Sequence, residues 1–359
     1  MSAMTTADIL DRLAIGKRLD EASAVRLLEG RELLAVGRAA AAARKKRVPG
    51  GDVTFVIDRN INYTNICVTG CDFCAFYRPL GSDEGYLLSD GQIYGKIAET
   101  IELGGTGIMM QGGLHPGLDI DYYCDLLAGI KERYPQITIH SFSPPEIHHI
   151  AVNSRISVAA TLERMRDAGL DSLPGGGAEI LADGVRRRLS PRKVDSGTWL
   201  EVMRQAHRAG LQSTATMMFG SIEGLADRVE HLRRIRELQD ETGGFRAFIP
   251  WTFQDENTQL EGSASSSGID YLMTLAVSRL YLDNILNIQA SWVTQGLKMA
   301  QVALDFGAND LGSTMIEENV VAAAGVTYRV GKEELVRAIG AAGWNPVQRR
   351  HDYTPAVPA

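Results

Sequence analysis

The stretch TFVIDRNINYTNICVTGCDFC (residues 54–74) joins the first predicted strand of the chain to a loop that holds three of its four cysteines. Its first residues form a β-rich run of the kind that lies in a sheet. Cys67, Cys71 and Cys74 follow with C-x3-C-x2-C spacing. Thiolates are soft ligands that select zinc or iron–sulfur clusters, and a closed site of either kind has four protein ligands. Three cysteines in one loop therefore predict a cluster in which one iron is left open for chemistry.

Spacing alone leaves two other interpretations of this loop open: a three-cysteine zinc site completed by a histidine, or unrelated thiols in a reducing compartment. Four cysteines, three of them clustered, do not form a disulfide framework, and we expect a cytoplasmic protein. The net charge of −7 at pH 7 and the absence of a long basic run argue against a nucleic-acid partner. No stretch has the apolar length of a transmembrane helix, so we expect no membrane partner.

Beyond this loop, short β-rich runs alternate with helical periods, which predicts βαβ units and a parallel sheet. The predicted strands are Thr54–Ile57 with Ile61–Tyr63, Gly107–Met110, Ile137–Phe142, Asp171–Leu173, Ser213–Phe219, Ala247–Trp251, Ile288–Trp292 and Ala308–Leu311. The predicted helices are Gln92–Leu103, Tyr122–Tyr134, Ala159–Ala168, Trp199–Ala209, Leu225–Gln239, Tyr271–Asn284 and Leu297–Phe306.

Roughly eight such units at this length predict an α/β protein with a (β/α)8 TIM-type barrel. A doubly wound open sheet is the alternative, but the G-x-G-x-x-G turn of its dinucleotide-binding form is absent after the first strand. We predict a helical lead-in over residues 1–50 and the barrel over 51–330. A C-terminal helix and tail, residues 331–359, are predicted to pack on the barrel.

Polar residues gather where the predicted strands end, which is where the active site of a parallel barrel lies. Three glycines before Glu179 expose backbone N–H groups near a helix start, a ready anion site. Some of these residues also have plain structural interpretations: a tight turn for paired glycines, a solvated face for arginines, a core position for His140. Together they predict a polar, aromatic-walled pocket for a hydroxylated, ring-containing ligand. The strand-end residues that we single out are Gly112, Gly113, His115, His140, Ser143, Glu146, Glu179, Arg186, Gly220, Glu223, Trp251, Thr294, Asn309, Asp310 and Ser313.

The cysteine spacing, with the aromatic Phe73 before the third cysteine, resembles the radical S-adenosylmethionine (SAM) enzymes. The glycines after the second strand and the motif Thr216-x-Met218-x-Gly220-x-x-Glu223 agree with this resemblance. Over residues 54 to about 330 the chain further resembles the cyclic dehypoxanthinyl futalosine synthases of the futalosine route to menaquinone. The aminofutalosine synthases and the deazaflavin-building radical enzymes are similar families that share the cysteine loop. The segments that carry the closer resemblance are NYTNICVTGCDFCAFYR, HSFSPPEI, GLDSLPGGGAEIL, ELQDETGGF, IPWTFQ, IQASWVTQG and GANDLGSTMIEENVV.

This resemblance implies a barrel of the radical SAM superfamily with a 4Fe-4S cluster and SAM as cofactors. It implies that a 5′-deoxyadenosyl radical takes hydrogen from C4′ of the ribose in dehypoxanthine futalosine, the small-molecule substrate. The sugar radical would then add to the benzoate ring, and loss of an electron and a proton would restore aromaticity. An external electron donor such as flavodoxin or ferredoxin is implied as the partner.

The resemblance also implies residue roles. Cys67, Cys71 and Cys74 would ligate the cluster. Phe73, Gly112, Gly113, Glu179, Arg186, Gly220 and Glu223 would contact SAM. Phe73 would lie near its adenine, and Arg186, or in its place Arg187 or Arg188, would lie near its carboxylate. The predicted substrate contacts are Ser143, Trp251, Thr294, Asn309, Asp310 and Ser313. The predicted catalytic base is His140, with Glu146 and His115 as second choices.

Overall fold

The computed structural model describes residues 4–30, 32–260, 263 and 266–356. The helices are α1 (Thr6–Ala14), α2 (Glu21–Gly30), α3 (Leu33–Arg47), α4 (Asp90–Glu102), α5 (Ile120–Arg133), α6 (Pro144–Ser154), α7 (Val158–Asp167), α8 (Asp183–Leu189), α9 (Ser196–Arg208), α10 (Leu225–Thr242), α11 (Gly268–Tyr281), α12 (Trp292–Gln295), α13 (Leu297–Leu304), α14 (Val320–Ala323) and α15 (Lys332–Ala341). The strands are β1 (Asp52–Val56), β2 (Asp58–Ile61), β3 (Gly107–Met110), β4 (Thr138–Ser141), β5 (Ser172–Leu173), β6 (Gln212–Phe219), β7 (Phe245–Thr252), β8 (Asn287–Ile288), β9 (Asp310–Ser313) and β10 (Asn345–Gln348).

The strands form a parallel ring. Seven of them lie in the order β2-β3-β4-β5-β6-β7-β8, and a second sheet has the order β10-β1-β9. A bridge between Gln289 and Asp310 joins the end of β8 to β9. Because β1 and β2 are successive parts of one chain, separated only by Ile57, the order returns to its start. The predicted (β/α)8 type of barrel is therefore confirmed.

Two of the elements that the sequence interpretation missed contain proline. Helix α6 begins with Pro144 and Pro145, which fit the first turn because its N–H groups have no intrahelical partner. Strand β10 contains Pro346 and pairs on one side only, with β1, so the missing N–H costs no ladder bond. The predicted strand Ile288–Trp292 is shorter than expected, since Trp292 already begins α12.

The N-terminal helices belong to the outer helical layer of the barrel. Leu27 of α2 and Val36 of α3 are fully buried in the same apolar cluster as Leu232 of α10 and Leu275 of α11. The described part of the chain contains no helix that is long and apolar enough to cross a membrane. The domain limits at residues 50 and 330 stay a prediction.

One buried histidine predicts a pH-dependent stability. His231 lies on α10, and its Nδ1 accepts a hydrogen bond from Leu181 N at 3.0 Å. Burial, assisted by Arg186 and Arg234, lowers the pKa of His231 from 6.5 to about 3. Between these values the unfolded chain binds the proton and the folded chain does not. The free energy of unfolding should therefore fall by about 2 kcal/mol from pH 7.5 to pH 5 on account of this group.

Urea unfolding at both pH values measures this effect. The matched variant is His231→Asn, which keeps a side-chain acceptor for the Leu181 N–H but does not titrate. We expect its pH dependence to be smaller than that of the wild type by about 2 kcal/mol. An unchanged pH dependence in the variant would show that His231 takes up its proton in the folded state.

Candidate active site

The cysteine loop follows the carboxyl end of β2 and lies across the mouth of the barrel. Val68 N donates to the Leu114 carbonyl in the loop after β3, at 3.1 Å, and Asp72 N donates to the Leu189 carbonyl at the end of α8, at 3.2 Å. From beyond β7, Gln259 N donates to the Asp72 carbonyl at 2.8 Å. The backbone therefore fixes the loop to three other strand-end loops.

The thiols of this loop fit a cluster better than a single ion. Cys67 Sγ and Cys71 Sγ lie 2.9 and 3.6 Å from the same Thr69 hydroxyl oxygen, so both sulfurs face one space. Burial raises the pKa of the Cys74 thiol, and all three thiols are free of disulfides. Within the described ranges, no three Cys, His, Asp or Glu side chains converge where one metal ion would sit. A cubane binds each thiolate through a different iron and needs no such convergence.

A half-buried ammonium group lies beside the cysteine loop. Lys193 Nζ is 2.8 Å from Glu179 Oε1 and 5.3 Å from the centroid of the Phe73 ring. Burial lowers the pKa of Lys193, but the Glu179 carboxylate and Cys71 outweigh it and leave the pKa above its ordinary value. The structure thus brings together Phe73 and Glu179, both predicted to contact SAM, through a lysine that the sequence interpretation missed.

The loop after β5 is held by Arg186. Its Nη2 donates to the Val194 carbonyl at 2.7 Å, and its Nη1 donates to the Ala178 carbonyl. Glu179 adopts a left-handed φ of 40°, unusual for a residue with a side chain, and its Oε2 lies 3.5 Å from Arg186. Both terminal nitrogens of Arg186 thus bond to the protein, whereas its buried Nε has no partner among the described residues. Its contact with the SAM carboxylate stays a prediction.

A cavity of about 260 Å³ lies inside the barrel. Five predicted site residues line it: His140, Glu179, Trp251, Thr294 and Ser313. The polar, aromatic-walled pocket expected from the sequence is thus present. Beyond these five, the polar and aromatic side chains that line the cavity include Asp58, Asn60, Gln111, Gln289, Trp292, Glu318, Arg349, His351 and Tyr353.

His140, the predicted base, faces this cavity from β4. Its Nδ1 lies 2.7 Å from Ser172 Oγ, and its ring stacks on that of His351 with centroids 5.1 Å apart. Burial, with contributions from His351, Arg246 and Arg349, lowers the pKa of His140 well below its ordinary value. A neutral imidazole therefore meets the cavity at neutral pH.

Glu146 is a buried structural support in this arrangement. Its Oε1 accepts from Tyr63 Oη at 2.9 Å and from Gly112 N at 3.0 Å. Its Oε2 accepts from Ser143 N at 2.8 Å and from Ser143 Oγ at 2.6 Å, closing a capping box at the start of α6. Burial nevertheless raises the pKa of Glu146. Neither Glu146 nor Ser143 lines the cavity. The structure therefore does not support Glu146 as a base or Ser143 as a substrate contact.

The variant Glu146→Gln separates a structural role of Glu146 from a catalytic one. In the variant, the carboxamide nitrogen would face an N–H or O–H donor that bonds to a carboxylate oxygen in the wild type. We therefore expect a loss of about 1–3 kcal/mol in the free energy of unfolding. The folded fraction should keep its turnover number within about twofold, since the side chain does not reach the cavity. Denaturant unfolding and anaerobic kinetics measure both. A variant of unchanged stability and a turnover lowered a hundredfold would restore Glu146 as a catalytic group.

The glycines after β3 make room for the cysteine loop. A Cβ on Gly113 would overlap the Ile66 carbonyl, and one on Gly112 would overlap the Tyr63 ring. Neither glycine lines the cavity. Their contact with SAM stays a prediction. His115 also lies outside it: its Nδ1 accepts from Gly117 N at 3.0 Å, and burial lowers its pKa.

Gly220 and Glu223 shape the turn after β6. Glu223 accepts from Gly220 N at 2.6 Å, from Ser221 N at 2.9 Å and from Arg228 Nε at 2.9 Å. These residues line a separate depression against α2 and α11. The structure therefore does not bring them to the cavity, and Glu223 is engaged as a turn support.

Asn309 and Asp310 lie at the amino end of β9 rather than at its carboxyl end. Asn309 Oδ1 accepts from Arg279 Nη2 at 2.6 Å and from Ile288 N at 2.9 Å. Asp310 is completely buried and accepts from Arg349 Nε and Nη2 at 2.6 and 3.0 Å. Strand β9 is two residues later than predicted, and these two side chains support the barrel instead of lining the cavity.

Comparison with known proteins identifies the family. Residues 61–235 match the radical SAM superfamily, and residues 242–357 match the CofH/MqnC C-terminal region. The cyclic dehypoxanthine futalosine synthase of Halalkalibacterium halodurans is 49% identical, over 98% of this chain and 95% of that protein. The protein of the same name from Streptomyces coelicolor is 46% identical, over 97% and 88%. The aminodeoxyfutalosine synthase of Thermus thermophilus is 39% identical, over 95% and 93%.

Among solved structures, methylornithine synthase has the same fold, with a TM-score of 0.71 at 19% identity over 94% of this chain and 97% of that one. This likeness concerns the barrel alone. The proteins with similar sequences also identify the family, because they are similar over nearly the whole of both chains. The chain therefore belongs to the radical SAM superfamily and, within it, to the family of the cyclic dehypoxanthine futalosine synthases.

Proposed function

We propose that this enzyme converts dehypoxanthine futalosine into cyclic dehypoxanthinyl futalosine, a carbon–carbon bond-forming step of menaquinone biosynthesis. The observation that carries the proposal is the 49% identity to a synthase of that name over 98% of the chain. The cavity supports it, since its polar groups and two tryptophans suit a ligand with both a sugar and an aromatic ring.

The enzyme uses the cofactors of its superfamily, a 4Fe-4S cluster and SAM. Together they supply a radical that can remove a hydrogen atom from an unactivated carbon. Cys67, Cys71 and Cys74 are the residues that would hold the cluster, leaving one position for SAM. Lys193 and Glu179, paired with each other beside this loop, are charged groups that would meet the amino-acid part of SAM.

The cavity positions the substrate. Trp251 and Trp292 come from the carboxyl ends of β7 and β8, and both line the cavity. Their flat faces suit the benzoate ring, which must lie against ribose C4′ for the new bond to form. Fixing this geometry in the cavity displaces competing water and removes the entropic cost of bringing the two carbons together.

His140 would accept the proton that leaves when the ring becomes aromatic again. Its lowered pKa keeps the imidazole neutral, which a base requires, and Ser172 fixes the ring through Nδ1. A useful variant is His140→Gln, which keeps a hydrogen-bonding side chain but cannot take up the proton.

We also propose that an external donor such as flavodoxin or ferredoxin delivers the electron. Outside the loop the sequence has a single cysteine, Cys124, so it offers no second cysteine-held cluster to relay electrons. A reducing compartment, the cytoplasm, suits the three free thiols.

An anaerobic assay of the reconstituted enzyme with SAM, a strong reductant and dehypoxanthine futalosine tests the function. We expect the cyclised product and 5′-deoxyadenosine in equal amounts. Dehypoxanthine futalosine left unchanged, with turnover of the substrate of aminodeoxyfutalosine synthase instead, would refute the proposal. A protein that stays colourless after reconstitution and binds zinc would refute the whole cofactor assignment.

A further inference from the structure

The cavity has a floor that is partly built from the C-terminal segment. Arg349, His351 and Tyr353 follow β10 and line the cavity together with Asp58 and Asn60 of β2. No sequence motif marked these three residues, and the roles assigned so far use none of them.

Backbone and packing contacts hold this segment under the barrel. Arg349 N donates to the Phe55 carbonyl of β1 at 2.8 Å, and Arg246 Nη1, near the start of β7, donates to the His351 carbonyl at 3.3 Å. A Cβ added to Gly107, the first residue of β3, would overlap the His351 ring. The segment therefore lies at the amino ends of the strands, opposite the cysteine loop.

Three buried polar atoms on the floor have no hydrogen-bond partner among the described residues: Asn60 Oδ1, His351 Nε2 and Tyr353 Oη. His351 Nε2 is 3.1 Å from Asp58 Oδ2, but the direction does not suit a hydrogen bond. The other oxygen of Asp58 accepts from Ser313 Oγ. An unpaired buried donor or acceptor is destabilising, so such a group marks a place where a ligand can bind.

The charges of the floor favour a neutral ligand. Arg349 is the only lysine or arginine among the described lining residues, and Asp310 already binds it through both oxygens. No cation remains for a carboxylate, and Asp58 would repel one. Hydroxyl groups suit the site, because they can donate to Asn60 Oδ1 or Asp58 Oδ2 and accept from a ring N–H of His351.

The geometry points to a subsite for the sugar hydroxyls on this floor, formed by Asp58, Asn60 and His351. This inference rests on the proposed function and specifies it further: the ribose hydroxyls point to the floor, and C4′ and the benzoate lie above them, toward Trp251 and the cysteine loop. The C-terminal segment then completes the substrate site, and His351 is a residue that distinguishes hydroxylated from deoxygenated substrates.

Calorimetric binding to the reconstituted holoenzyme tests this subsite, with dehypoxanthine futalosine and an analogue whose ribose hydroxyls are replaced by hydrogen. The wild type should bind the natural compound at least about tenfold more tightly than the analogue. His351→Gln should lose about tenfold for the natural compound and change less than twofold for the analogue. Arg350→Gln, an exposed neighbour, is the matched control and should change neither.

Asn60→Leu gives a second, independent variant, and thermal unfolding verifies that each protein is folded. Equal weakening of both ligands in His351→Gln and Asn60→Leu, or no weakening, would overturn the subsite. If the variants instead altered the change in affinity that follows replacement of the benzoate carboxylate by an amide, the benzoate end of the substrate would lie on the floor. Failure of the proposed function shows separately, as absence of cyclised product from the wild type.

Discussion

Cys71→Ala is expected to abolish SAM cleavage and to leave reconstituted protein without its brown cluster. Cys71 is buried in a loop whose backbone is fixed to three other strand-end loops, so no other thiol can replace it. Loss of an outer-shell partner of a metal ligand costs 10–100-fold, and loss of a ligand itself should exceed about a hundredfold. Iron content, visible absorbance and 5′-deoxyadenosine formation measure the outcome.

Cys124→Ala is the matched control, because Cys124 is the one cysteine outside the loop. It lies half-buried on α5. We expect iron content and turnover within twofold of the wild type. A Cys71→Ala protein that still cleaves SAM, or a Cys124→Ala protein that loses its iron, would contradict the assignment of the three loop cysteines as ligands.

Arg349→Met is expected to lower the free energy of unfolding by about 3–5 kcal/mol. The substitution removes the only ionic partner that Asp310 has among the described residues, and this carboxylate has no exposed surface. Hydrogen bonds from Thr54 and Gly312 remain, but they do not neutralise the charge. Urea unfolding at neutral pH measures the loss.

The control for this variant is Arg350→Met, whose exposed side chain should matter by less than about 0.5 kcal/mol. Combining Arg349→Met with Asp310→Leu should recover part of the loss, because it removes the uncompensated charge as well. If Arg349→Met alone were as stable as the wild type, the buried ion pair between Arg349 and Asp310 would not stabilise the fold.

The barrel was predictable because its strands are apolar runs that alternate with amphipathic helices. For β3, β6 and β7 the predicted and observed limits differ by at most two residues. The pairing of β1 with β10 was not predictable, since it joins residues 52–55 to 345–348 and depends on no local signal. Strand β9 was misplaced because Gly312 and Ser313 are poor strand formers, and pairing with β1 overrides that preference.

The site was partly predictable for a related reason. Polar residues at strand ends do collect in a parallel barrel, and His140, Trp251 and Ser313 line the cavity as a result. The pattern cannot tell a side chain that awaits a ligand from one that its neighbours already satisfy. Glu146 and Asp310 are of the second kind. The individual ligand contacts of the other predicted residues stay predictions.

Closure of the strand ring also bears on how fast the protein folds. Strand β1 pairs with residues 310–313 and 345–348, more than two hundred and fifty positions along the chain. Contacts of such sequence separation slow folding, because the chain must give up its entropy before they form. A fragment that stopped near residue 235 would leave the first strand without either neighbour and expose its edges to aggregation. We therefore expect the two matched regions, residues 61–235 and 242–357, to be interdependent for folding.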